Sequence, residues 1–83
     1  MIEVVVVSTP ACHMCDEAER ALEGLRREFP LWVRVVDIRS PEGARIFQEH
    51  QAPMLPVVLV SGRLFSAGRL PRKKLLRWLE RAA

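Results

Sequence analysis

The chain has 83 residues, 49% of them hydrophobic and 28% charged, with a formal net charge of +3. That is enough apolar material for one packed core and too much for a disordered chain, so a single domain over 1–83 is expected. No apolar run approaches the roughly 20 residues of a membrane helix. A net charge of +3 is too small an excess to imply a nucleic-acid partner, so neither nucleic acid nor membrane is expected as a partner.

Met1 leads almost directly into Ile2-Glu3-Val4-Val5-Val6-Val7, a β-branched run of the kind that forms a strand buried on both faces. No basic segment, long apolar stretch and small-residue cleavage site precede it, so no signal peptide is read and a cytoplasmic location is expected. Ser8-Thr9-Pro10-Ala11 is a loop. A helix is predicted from about Cys12 to Glu28, with Ala18, Ala21, Leu22 and Leu25 on its inward stripe. Gly24 lies inside it at modest cost, and Pro30 follows its end.

Leu31 to Ile38 reads as a second strand, parallel to the first because a helix joins them. Ser40-Pro41 is an N-cap followed by proline at the first helical position. The short helix behind it runs to about His50 and buries Ala44, Ile46 and Phe47 in some combination. Gln51 to Leu55 is irregular. Pro56 precedes a third strand, Val57 to Val60, and Ser61-Gly62 is a two-residue hairpin turn into an antiparallel fourth strand, Arg63 to Ser66. Pro71 to Arg81 is the last helix, with Leu75, Leu76, Trp78 and Leu79 towards the sheet. Trp32, Trp78 and Phe47 are expected in core or half-buried packing.

Cys12 and Cys15 are the only cysteines, and they stand where the first strand gives way to the first helix. A lone C-x-x-C at such a junction reads as a thiol–disulfide pair. The spacing brings both sulfurs to the same end of one helix. The first thiol stays exposed and the second lies one turn along, within reach of a mixed disulfide. A reducing cytoplasm disfavours a structural disulfide, which leaves redox catalysis or metal binding.

Cys12 is expected to be the nucleophile. A free cysteine, with a pKa near about 8.5, supplies little thiolate at neutral pH. Unpaired N–H groups at a helix N-terminus and the positive end of its dipole favour the anion. His13 is expected to tune the thiolate as a donor or a cation. Cys15 is the resolving thiol. Asp16 and Glu17 favour the helix dipole and oppose the thiolate, and His50 is a helix-end residue without chemistry.

Order, length and motif together resemble the thioredoxin superfamily, and most closely its glutaredoxins. Cys12-His13-Met14-Cys15-Asp16-Glu17-Ala18 is similar to the C-H-x-C-D-E-A signature of short bacterial glutaredoxin-like proteins. Val36-Asp37-Ile38 and Leu55-Pro56-Val57 fit the same pattern, and the similarity covers nearly the whole chain. The resemblance implies an α/β, thioredoxin-like fold of glutaredoxin type: a four-stranded mixed sheet in the order βαβαββα, with helices on both faces. It implies a dithiol thiol–disulfide oxidoreductase or electron carrier with a redox-active disulfide. It also implies a cis Leu55–Pro56 bond, with Leu55's backbone groups free to pair with an extended substrate. The implied substrate-binding set is Pro10, Ala11, Met14, Leu55, Pro56, Gly68 and Arg69. Met14 and Met54 would rim the site as an adaptable apolar surface.

Several positions depart from the glutathione-using members. Thr9 stands where they carry lysine, and Met54-Leu55 where they carry threonine and valine. Ser66-Ala67-Gly68-Arg69 stands where a double glycine and an aspartate hold the glutamyl end of glutathione. A cation replaces that acid, which argues against direct glutathione binding, although Arg69 can meet a carboxylate in another pose. Phe65 to Arg69 also resembles, shifted by one residue, redoxins that take electrons from thioredoxin reductase. The reductant is therefore left between thioredoxin reductase and glutathione, with protein disulfides as substrates, no resident cofactor, and a monomer expected.

Two other readings stay open. A metal or iron–sulfur module would draw two soft ligands from the C-x-x-C and a third from His13, short of the four that structural zinc takes. A redox-silent adaptor would use the basic face formed by Arg63, Arg69, Arg72, Lys73, Lys74, Arg77 and Arg81. Such a run usually solvates a face; it also suits an anionic thiol substrate or an acidic reductase surface.

Overall fold

A computed structural model describes residues 1–82. The elements are β1 (Ile2–Ser8), α1 (His13–Leu25), β2 (Leu31–Asp37), α2 (Pro41–Glu49), β3 (Val57–Val60), β4 (Arg63–Ala67) and α3 (Arg72–Ala82). The sheet order is β2-β1-β3-β4. β1 and β2 are parallel, with Val4 opposite Val33 and Val7 opposite Val36. β3 runs antiparallel to both β1 and β4, with Val57 opposite Val7. This is the four-stranded mixed sheet of the thioredoxin-like fold.

The period of two in β1 divides the core. Val4 and Val6 pack with Ala18, Leu22 and Leu25 of α1 and Leu75 and Leu79 of α3. Val5 and Val7 pack with Ile46 of α2 and with Val57 and Leu59. Two helices thus cover one face of the sheet and one covers the other. Every residue from Val4 to Val7 is buried, as a central strand covered on both sides requires.

Local chemistry sets the element ends. Ser40 caps α2: its Oγ accepts from the Gly43 amide at 3.0 Å and donates to the Asp37 carbonyl at 2.7 Å. Gly43 is buried there because a Cβ would run into the backbone carbonyl of Asp37. Ser61 and Gly62 both take positive φ, 51° and 81°, the geometry of a tight hairpin turn.

Some expectations need correction. α1 ends at Leu25, three residues before Glu28, because its last turn loosens into single-turn bonds such as Arg27 N–H to Gly24 C=O. Trp32 is 53% exposed rather than core or half-buried. It sits on an edge strand, opposite Glu3 near the start of β1, whereas α2 packs against the later half of both strands. In α2 the buried residues are Gly43 and Ile46, with Ala44 and Phe47 only partly covered. Among the described residues, no helix is long and apolar enough to cross a membrane.

Candidate active site

The chain leaves β1 at Ser8, turns through Thr9 and Pro10, and passes Ala11 in the left-handed region at φ 56°. For an alanine that conformation is uncommon and costs on the order of 1 kcal/mol. It brings Cys12 into extended geometry (φ −118°, ψ 108°) as the N-cap of α1. The Cys12 carbonyl accepts the first helical bond, from Asp16 N–H at 3.0 Å. The Cys12 Sγ accepts from the Cys15 backbone N–H at 3.2 Å. The sulfur therefore occupies the place that a serine or aspartate oxygen takes in an ordinary helix cap.

Cys12 and Cys15 are joined as a disulfide, with their Cα atoms 5.2 Å apart. Cys12 keeps part of its surface in solvent, while Cys15 is fully buried. This asymmetry follows from helical spacing. Cys15 falls on the same inward stripe as Ala18, Leu22 and Leu25, and Cys12 lies just outside the helix.

His13 and Asp16 are exposed on the first turn. The donor to the Cys12 sulfur is the backbone N–H of Cys15, one of the helix N-terminal N–H groups expected to favour a charge there. Met14 is partly covered. Pro10 and Ala11 are exposed beside the pair.

The second strand pair brings the remaining predicted residues to the same end of the sheet. Val57 opposes Val7, so the chain just before β3 lies beside the end of β1 from which the Cys12 loop departs. The Leu55–Pro56 peptide bond is cis. Pro56 is buried and Leu55 partly so. Gly68 N–H donates to the Pro56 carbonyl at 2.9 Å, which ties the end of β4 to this corner. Gly68 has φ 98° and is packed so closely that a Cβ would lie 2.9 Å from Met54 Sδ. The positive φ is what favours glycine there, because the Met54 side chain is exposed and can move aside.

Arg69 follows, exposed, with its guanidinium 3.9 Å from the Glu17 carboxylate of α1. A hollow of about 190 Å³ opens there between Glu17, Ala18, Ala21, Arg69, Leu70 and Arg72. On the other flank a second hollow is lined by Pro10, Asp16, Glu19 and Asp37 among others. The C-x-x-C thus lies between an arginine-bearing flank and a carboxylate-bearing one. Asp37 is held there by Arg39, whose backbone and guanidinium both donate to it and pull its carboxyl down to about 2. Among the described residues, no three His, Cys, Asp or Glu side chains converge on a point where they would hold a metal ion.

The family model described as a glutaredoxin-like domain matches residues 3–80. The chain belongs to that family. Solved structures similar to this glutaredoxin-like chain share its fold at low identity. The NrdH-redoxin of Escherichia coli is 20% identical with a TM-score of 0.69, and the match covers 90% of this chain and 92% of that one. Mitochondrial thioredoxin 3 of Saccharomyces cerevisiae, in its oxidized form, is 18% identical with a TM-score of 0.70, covering 96% and 77%. Thioredoxin O2 of Arabidopsis thaliana, also oxidized, is 14% identical with a TM-score of 0.72, covering 98% and 74%. No curated protein matches the chain.

Proposed function

We propose that this glutaredoxin-like protein is a dithiol thiol–disulfide oxidoreductase, an electron carrier that exchanges protein disulfides through Cys12 and Cys15. One observation carries the reading: Cys12 stands partly exposed as a helix cap, its sulfur accepting the Cys15 N–H, with a fully buried partner sulfur bonded to it.

In the reduced protein, the Cys12 thiolate attacks one sulfur of a substrate disulfide. A Cys12–substrate S–S bond forms, the substrate's own S–S bond breaks, and its other sulfur leaves as a thiolate that takes a proton. Cys15, as thiolate, then attacks the Cys12 sulfur. The second substrate thiolate departs and the Cys12–Cys15 disulfide closes. Two electrons have passed to the substrate, and an external thiol or dithiol must return two to the protein.

Helix N–H groups and the dipole stabilise charge on Cys12 and act weakly on buried Cys15, which assigns the nucleophilic role to the first thiol. His13 tunes that thiolate. Pro10, Ala11, Met14, Leu55 and Pro56 form the rim along which an extended substrate lies, with the Leu55 backbone as its pairing partner. Arg69 replaces an acidic residue that holds glutathione in related proteins, which favours a thioredoxin-reductase-type reductant over glutathione. The proposed setting is a reducing compartment, the cytoplasm.

A turnover assay with two arms tests this. One arm supplies thioredoxin reductase and its nicotinamide donor, the other glutathione with glutathione reductase. Reduction of insulin disulfides coupled to the first arm is the expected result. Inactivity in both arms would overturn the reading.

A further inference from the structure

We propose that the exposed face of α3, with the groove beside Trp78, docks an acidic protein surface that presents an apolar side chain between its carboxylates.

The placement of charge on α3 is hard to explain by folding. Lys73, Lys74, Arg77 and Arg81 are all exposed, and their spacing of three and four puts them on one side of the helix. Lys73–Arg77 and Arg77–Arg81 are like-charge pairs at i,i+4, which weaken a helix. The first turn begins Arg72-Lys73-Lys74 and holds no acid, although the helix N-terminus favours negative charge. Elsewhere Arg26, Arg34, Arg39, Arg45 and Arg69 sit in ion pairs. Among the described residues, Arg20, Arg27 and Arg63 do not, and no cation of α3 does. A local rule broken without a folding gain marks a surface kept for something else.

The second observation is apolar. A groove of about 330 Å³ lies between the β3–β4 hairpin and α3, lined by Val60, Ser61, Arg63, Leu64, Phe65 and Trp78. Leu64 is 44% exposed, and the Lys74 ammonium rides 5.5 Å from the centroid of the Phe65 ring. Arg63 and Lys74 therefore border a floor of aromatic and aliphatic side chains. An apolar side chain fits that floor, and acidic residues on either side of it meet the cations.

The rest of the chain argues for a compact partner. Nine of its ten acidic residues precede Gly62, so a long polyanion tracking beyond α3 would meet a repelling surface. A protein patch the size of α3, roughly 16 Å long, is confined to the cationic stripe. On its other flank α3 meets α1, where Arg72 shares a hollow with Glu17. The start of α3 therefore borders the helix that Cys12 caps. The proposal adds to the thiol–disulfide reading without depending on it.

The test uses the oxidised chain carrying Trp32→Phe, which leaves Trp78 as the only indole. The probe is the synthetic peptide Asp-Glu-Asp-Phe-Asp-Glu-Asp. Trp78 emission should shift on titration, with affinity falling roughly tenfold or more between about 0.05 M and about 0.5 M salt. A K74E/R77E variant should lose roughly tenfold or more, while its circular dichroism and its Cys12–Cys15 disulfide stay unchanged. Amide shift mapping on the wild-type chain should place the peptide at Leu64, Phe65 and Trp78, and it needs no variant to fold. An unmoved Trp78, binding indifferent to charge reversal, or shifts confined to other surfaces would overturn the proposal. So would an oligothymidylate or a phosphatidylserine vesicle that moves Trp78 at lower concentration than the peptide.

Discussion

Cys15 serves Cys12 twice: its backbone N–H donates to the Cys12 sulfur across 3.2 Å, and its own buried sulfur is the one bonded to it. The donor and the bonded sulfur belong to one residue on one helical turn, so neither can shift without the other. The partly exposed sulfur is thereby held against the buried one.

Trapping separates the two roles. With Cys15→Ser, attack on a protein disulfide should stop at a mixed disulfide linked through Cys12, visible by mass spectrometry. Cys12→Ser should give no adduct and no measurable turnover. Accumulation through Cys15 in the Cys12→Ser variant would reverse the assignment.

Gly43→Ala should destabilise the fold by about 1–3 kcal/mol, because the added methyl has no room against the Asp37 carbonyl and lies about 3.0 Å from the Ile38 Cα. Urea unfolding measures this. Thiol reactivity should not change, since Gly43 lies on the face of the sheet opposite α1.

Leu22→Ala removes a fully buried side chain from the helix that carries both cysteines, and should cost about 2–5 kcal/mol. Trp32→Ala should cost about 1 kcal/mol or less, because more than half of the residue's surface already faces water. Equal losses in denaturant midpoint would contradict the burial described.

The carboxyl of Asp37 titrates at about 2 instead of its ordinary 3.8, chiefly because the Arg39 side chain, and next its backbone, donate to the charged form. A lowered folded-state value means that the charged carboxylate favours folding. That contribution is complete above pH 3.8 and fades as acid approaches pH 2. Arg39→Ala should return the titration towards 3.8 and remove the pair's share of the acid dependence between these limits. Carboxyl carbon NMR reads the midpoint directly. An unmoved midpoint in Arg39→Ala would contradict the pairing.

Much of this architecture is legible in the amino-acid order. The Val4–Val7 run, the Ser40-Pro41 cap and the Ser61-Gly62 turn each carry a local signal stronger than any tertiary competitor, and their elements fall within a residue or so of expectation. The Cys12–Cys15 pair is legible because its spacing is chemical. Less legible are features set by the partners a residue meets in space. Trp32 looks like core until its strand becomes an edge, and Gly68 looks like loop until Met54 closes over it. The Arg69–Glu17 approach joins residues more than fifty positions apart, and no periodicity reports it. Backbone N–H groups beside Cys12 are legible as a class from the helix start; that the Cys15 one donates to the sulfur is set by the cap geometry.

The measurement that bears most directly on the central claim is the pH dependence of alkylation at each cysteine of the reduced protein, resolved by mass spectrometry. Cys12 should react first, with an apparent pKa clearly below the roughly 8.5 of a free thiol, while buried Cys15 should react slowly. Equal rates at the two positions, or a Cys12 that ionises like an ordinary thiol, would contradict that claim.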